Sequence, residues 1–89
     1  MANLKSSLKR IRSSRRKAEY NQIVRSTART YVQRARRLID EGQLEEAREV
    51  VQKAVSALDK AAQKGVIHPN NAARRKSRLM RHLNQAMQS

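Results

Sequence analysis

From residue 20 onward, apolar or weakly polar positions recur at Tyr20, Val24, Thr27, Tyr31, Ala35 and Leu38. Steps of four and three place such side chains along one side of an α-helix. Leu4, Leu8 and Ile11 carry the same spacing upstream, too sparsely to make a core face. No Pro or Gly interrupts residues 5–39. The pattern predicts one long helix, on the order of 50 Å from end to end. Its second half is a core-facing wall, and its first half projects.

Asp40-Glu41-Gly42-Gln43 stops this helix, because Gly42 suits the left-handed position that follows a helix C-terminus. So short a break predicts an antiparallel hairpin. A second stripe, Ala47, Val51, Ala54, Leu58 and Ala61, predicts a helix over residues 44–63. Its many alanines imply close backbone approach. Glu45, Glu46 and Glu49 near its start complement the helix dipole. This helix reads as a clamp with no binding role. Lys64-Gly65 is a second stop, and Asn70 is placed to cap a third helix over residues 71–87. Leu79, Leu83 and Ala86, flanked by Met80 and Met87, form its apolar face.

The fold class read from this pattern is all-α: a three-helix bundle with a long protruding basic N-terminal helix. One domain covers residues 1–89. Residues 1–19 are a cationic arm, 20–41 the rest of helix one, 43–64 helix two and 70–87 helix three.

Charge changes the picture most. The 89 residues carry a net charge of +14, gathered at the two ends. Residues 1–37 hold twelve Lys/Arg and one acid, residues 38–64 four bases and six acids, and residues 65–89 five bases and no acid. Solvation alone spreads charge, whereas binding a partner concentrates it. The partner implied is a polyanion.

In the arm the cations are Lys5, Lys9, Arg10, Arg12, Arg15, Arg16 and Lys17, with no acid before Glu19. Like charges at i, i+4 destabilise an isolated helix, so the free arm frays and orders on binding. Beyond it, Arg25, Arg29 and Arg36 fall within about 40° of one another, near the side opposite the apolar stripe. Arg34 lies on the flank of that stripe. In the third helix Arg74, Arg78 and Arg81 fall on the far side from Leu79 and Leu83. Lys76 sits inside the apolar arc; either the first turn overhangs the bundle or the stem snorkels.

Little in the chain resembles a reaction centre. With no Cys there is no disulfide, thiolate or Cys-based zinc chemistry. His68 and His82 have no ligand-spaced partner, and the acids fall where helix capping explains them. Gly occurs only twice, at helix ends, so no phosphate-cradling loop exists. The expectation is a non-enzyme without cofactor, metal or small-molecule substrate. No apolar run approaches the roughly 20 residues that span a bilayer, and the arm's sparse stripe lacks the Trp or Phe of a membrane-active helix. Residues 1–18 share the composition of a mitochondrial transit peptide, but the basic pattern runs on into the apolar helix without a break.

Nucleic acid fits the cations. Lys and Arg neutralise phosphates and release counterions. Arg outnumbers Lys in both basic blocks, favouring forked phosphate contacts. Tyr20 and Tyr31 are the only aromatics, which argues against a stacking reader of single strands. Recognition of a folded polyanion through backbone and shape remains. A DNA-compacting nucleoid-type protein is the alternative.

One stretch is more specific. Lys64-Gly-Val-Ile-His-Pro-Asn-Asn-Ala-Ala-Arg-Arg-Lys-Ser-Arg-Leu79 closely resembles the KGxIHxNxAARxKSRL signature of the bacterial small-subunit ribosomal protein family S20. Met1-Ala-Asn-Leu-Lys-Ser6, Lys9-Arg10-Ile11-Arg12, and Arg25-Ser26 with Arg29-Thr30 look like the same family. The resemblance implies a bundle with a protruding first helix, in the bacterial cytoplasm, binding small-subunit (16S-type) ribosomal RNA directly and early in assembly. Other ribosomal proteins would be minor partners. It implicates the arm and residues 64–78, adding Lys64, His68, Asn70, Arg75 and Lys76 to the RNA-contacting set. Pro69 occupies a variable position of the signature, and Gln43 stands where the family often has a better N-cap.

Overall fold

Three helices follow one another: α1 over Ala2–Asp40, α2 over Leu44–Gln63 and α3 over Pro69–Gln88. The computed structural model describes the backbone of residues 2–88 and the side chains of residues 9–88. Leu4, Lys5 and Leu8 lie outside the described side chains. The architecture is the all-α three-helix bundle with a long first helix that the pattern predicts.

Both turns are glycine-terminated helix ends. Gly42 has φ +79° and Gly65 has φ +74°, a region that L side chains enter only with strain. At the first, the Gly42 N–H donates to the Ile39 carbonyl at 3.1 Å and the Gln43 N–H to the Leu38 carbonyl at 2.9 Å. At the second, Gly65 donates to Ala62 at 3.1 Å and Val66 to Ala61 at 2.9 Å. Each pair is the Schellman pattern, which satisfies the last carbonyls of a helix while reversing the chain.

In α2 the buried residues are Ala47, Val51, Ala54, Leu58 and Ala61, the stripe read from the sequence. Three alanines of this stripe are 0% exposed, as is Ala35 facing them on α1. Small side chains let the helix backbones approach closely. Leu58 and Leu79, each 1% exposed, fill the centre. Among the described residues no polar or charged side chain is buried, so each of their charges stays outside the core.

On α1 the buried positions are Ala28, Val32, Ala35 and Ile39. This corrects the predicted stripe: Thr27 and Tyr20 are exposed, and Val24, Tyr31 and Leu38 lie on its half-buried flank. Two helices cover α1, not one. The buried arc is therefore turned toward the groove between them, where Ala28 fits and a threonine one position earlier does not.

The start of α3 also differs from the prediction. Asn71 and Ala72 donate their N–H groups to the His68 carbonyl, and the Asn70 N–H donates to His68 Nδ1 at 3.1 Å. His68 is the N-cap, not Asn70. Pro69 then takes the first helical position, where its fixed φ and missing N–H are no handicap. By contrast, Gln43 makes no side-chain cap at α2.

The core reaches back along α1 only to Ala28, whereas the helix of 39 residues is about 58 Å long. Residues 9–20 are exposed throughout. The molecule measures 68 × 22 × 14 Å with a radius of gyration of 17.8 Å, against about 12 Å for a compact domain of this length. The excess is the arm.

Since α2 begins uncapped, Gln43→Ser should stabilise the bundle by about 0.5–1 kcal/mol. Thermal melting followed by circular dichroism should show a higher Tm. An unchanged or lower Tm would mean that position 43 cannot present its side chain to the helix end.

Candidate nucleic-acid interface

Two contacts set the register of α3 against α1. Arg25 Nη2 donates to the Val66 carbonyl at 3.3 Å, and His82 Nε2 lies 3.2 Å from Asp40 Oδ1. Their sequence offsets are nearly equal, 41 and 42 residues. Equal offsets mean that the helices run parallel with matched rise. The same offset sets Arg29 level with Asn70 and Asn71, and Arg36 level with Ser77 and Arg78.

Rotation about each axis completes the picture. Because the buried stripe of α1 is turned, Arg25, Arg29 and Arg36 are centred only about 70° from its middle. They flank the core and do not oppose it, and Asp40, within about 60° of all three, touches His82 and so marks this flank as the one beside α3. On α3, His82 marks the flank beside α1. Arg75 lies within about 20° of it and Arg78 within about 40°. Arg29, Arg36, Arg75 and Arg78 thus border one seam, and all four are exposed. Arg74 and Arg81 continue the charge around the outer side of α3, also exposed.

The arm is a different surface. Lys9, Arg10, Arg12, Arg15, Arg16 and Lys17 are all exposed. At helical spacing they leave only about 140° of the circumference without a cation. A rod charged on several sides suits a crevice between phosphate surfaces better than one flat surface. Lys5 lies outside the described side chains.

Ion pairing separates the candidates. Among the described residues Lys76 forms an ion pair with Asp59 at 2.6 Å, and His82 Nε2 lies within hydrogen-bond distance of Asp40, at 3.2 Å. The arginines of seam and arm have no carboxylate partner. Lys76 does: its half-buried stem runs beside the core and its ammonium reaches Asp59 on α2. Snorkelling accounts for a lysine inside the apolar arc. Lys64 is also engaged, donating to the Tyr20 hydroxyl with its ammonium 4.9 Å from that ring's centroid. His68 and Asn70 are joined through the cap, which leaves the His68 Nε2 edge and the Asn70 amide for an outside partner. Sequence reading passed over Lys53 and Lys60, exposed on the flank of α2 beside α1. With Lys64 they are spaced by seven and four, and that spacing is the signal that finds them.

Among the described residues no group of His, Cys, Asp and Glu is placed to hold a metal ion, and no helix is long and apolar enough to cross a membrane. A cation-coated rod joined to an arginine seam, over a wholly apolar core, defines a small helical scaffold for a phosphate-rich partner.

Comparison with known proteins narrows that class. The family described as Ribosomal protein S20 matches residues 2–84. The chain is 51% identical to the "Small ribosomal subunit protein bS20" of Coprothermobacter proteolyticus, over 99% of this chain and 100% of the relative. It is 51% identical to the protein of the same name from Thermomicrobium roseum, over 94% of this chain and 85% of the relative. For that of Mycolicibacterium smegmatis the identity is 48%, over 94% and 98%. The chain belongs to the ribosomal protein S20 family.

The cap assignment is open to a direct check. His68→Ala should destabilise the protein by about 0.5–2 kcal/mol, and His68→Ser, whose hydroxyl can accept the same N–H, should restore most of the loss. Equal melting of wild type and His68→Ala would remove the imidazole from the helix start.

Proposed function

We propose that the protein is a structural constituent of the bacterial small ribosomal subunit. In this reading it binds small-subunit ribosomal RNA directly and stabilises its fold during assembly. Family membership supports the subunit, and the unpaired cations support the mode of binding. The observation that carries the reading is that, among the described residues, the arginines of the α1–α3 seam and the cations of the arm have no carboxylate partner within the chain. They occupy two surfaces separated along a 68 Å molecule, so one protein can hold phosphate groups of separate RNA segments at a fixed distance.

The contacts proposed are made by Lys5, Lys9, Arg10, Arg12, Arg15, Arg16 and Lys17 of the arm, and by Arg25, Arg29, Arg36, Arg75 and Arg78 of the seam. Arg74 and Arg81 add the outer face of α3, and Lys64, His68 and Asn70 the α2–α3 loop. Lys76, the remaining residue of the RNA-contacting set, acts first as a tie between α3 and α2, because its charge is already matched by Asp59. Arg25 divides its guanidinium between the Val66 carbonyl and the outside. Each unpaired arginine brought onto a phosphate displaces a condensed counterion, so affinity falls steeply with salt.

Competition of folded small-subunit ribosomal RNA against duplex DNA across a salt series tests this reading. RNA binding should survive excess DNA at physiological salt. Arg36→Ala should lower the salt slope by about one, while Lys76→Ala should leave it unchanged. Equal competition by DNA with the same slope would return the protein to the nucleoid class.

A further inference from the structure

The seam on the other side of α1, beside α2, differs in kind from the arginine seam. It is an open groove of about 370 Å³, within the roughly 300–1,000 Å³ of small-ligand sites. Its apolar floor is the half-buried Val24 and Ala57, continued by Ile23 on the outer lip. Ile23 is 64% exposed. Tyr31 lines it, and Tyr20 stands near its end toward the arm, its hydroxyl held by the rim residue Lys64. The chain has only these two aromatic side chains, and helical spacing puts them within about 20° of each other on α1. Along the α2 edge stand Lys53, Lys60 and Lys64, with the hydroxyls of Thr27 and Ser56 between the two helices.

A duplex backbone requires cations and has no use for an apolar floor. An acidic amphipathic helix would require a longer trough, because the floor runs from Ile23 only to Tyr31, about 12 Å along the helix. One nucleotide matches both halves of the groove. Every base presents an apolar π-face that is sequence-tolerant in what it stacks on, and its flanking phosphates require cations.

We propose that the α1–α2 groove holds a single unpaired nucleotide. Its base lies on Ile23, Val24 and Ala57 against Tyr31, and its phosphates sit on Lys53, Lys60 and Lys64. This rests on the RNA reading above and adds to it a site on α2, the helix with no part in the arginine seam. The Thr27 and Ser56 hydroxyls are available to the base edge, as donors or acceptors, so the groove accepts more than one base.

The test titrates the full chain with two RNA hairpins of identical stem at physiological salt. One is fully paired; the other carries a single bulged nucleotide bearing a fluorescent adenine analogue. The bulged hairpin should bind about five-fold tighter or more, as one stacked base implies, with a change in the analogue's fluorescence. Ile23→Ser lies at an exposed position that the core does not need. It should abolish both the preference and the fluorescence change while leaving the paired hairpin's affinity unchanged. Equal binding of the two hairpins by the wild type, or a preference that survives Ile23→Ser, overturns the groove assignment and leaves the RNA reading standing. Failure to bind either hairpin overturns both. Capture of an acidic amphipathic peptide by the wild type but not by Ile23→Ser, with the hairpins bound equally, would give the groove to a protein partner and also overturn the nucleotide.

Discussion

Close approach of alanine-lined helix surfaces is the interaction on which the rest of the structure depends. Ala35, Ala47, Ala54 and Ala61 are wholly covered, so α1 and α2 pack backbone to backbone with little apolar bulk between them. Without Phe or Trp the core is thin and short. It ends along α1 near Ala28, about level with the start of α3, while α2 runs on until Lys64 meets Tyr20. The arm is what remains of a helix longer than its own protein can cover. Keeping every charge outside that thin core confines the +14 to surfaces where a partner, and not the fold, must neutralise it.

Three seams follow from three helices, and their chemistry differs. Between α1 and α3 the flanks are rich in arginines that have no carboxylate partner among the described residues. Between α2 and α3, Asp59 and Lys76 pair across the seam, an ion pair that is partly exposed and contributes little stability. Between α1 and α2 lie lysines over an apolar floor. A thin bundle exposes all three at once, which suits a protein surrounded by RNA on several sides.

Much of this was legible in the spacing of residues. All five buried positions of α2 stand in the sequence as one unbroken stripe, because α2 packs with a single narrow face and its neighbours in the pattern are polar. On α1 the face was misplaced by about one residue. Tyr20 and Thr27 match the helical period as well as Ala28 and Val32 do, and periodicity alone cannot weigh a tyrosine at a groove against an alanine in a close contact. The His68 cap escaped notice because histidine seldom caps a helix, although Pro69 immediately after it marks the first turn. The arginine seam needed the register of α3 on α1. That register is set by contacts some forty residues apart, such as Asp40 with His82, and no local pattern contains it. The resemblance of residues 64–79 to the S20 family signature identified the family, which the structure alone would not have done.

In energetic terms α1 is two helices: one half is held by the core, while among the described residues no buried side chain, side-chain hydrogen bond or ion pair holds residues 9–19. Residue-resolved amide hydrogen exchange, with and without small-subunit ribosomal RNA, measures this directly. Strong protection is expected from Ala28 to Ile39 in the free protein, with exchange in residues 9–19 close to that of an unsupported peptide and slowing markedly when RNA is added. Protection running unbroken through residues 9–19 of the free protein, or an arm indifferent to RNA, would contradict this division of α1.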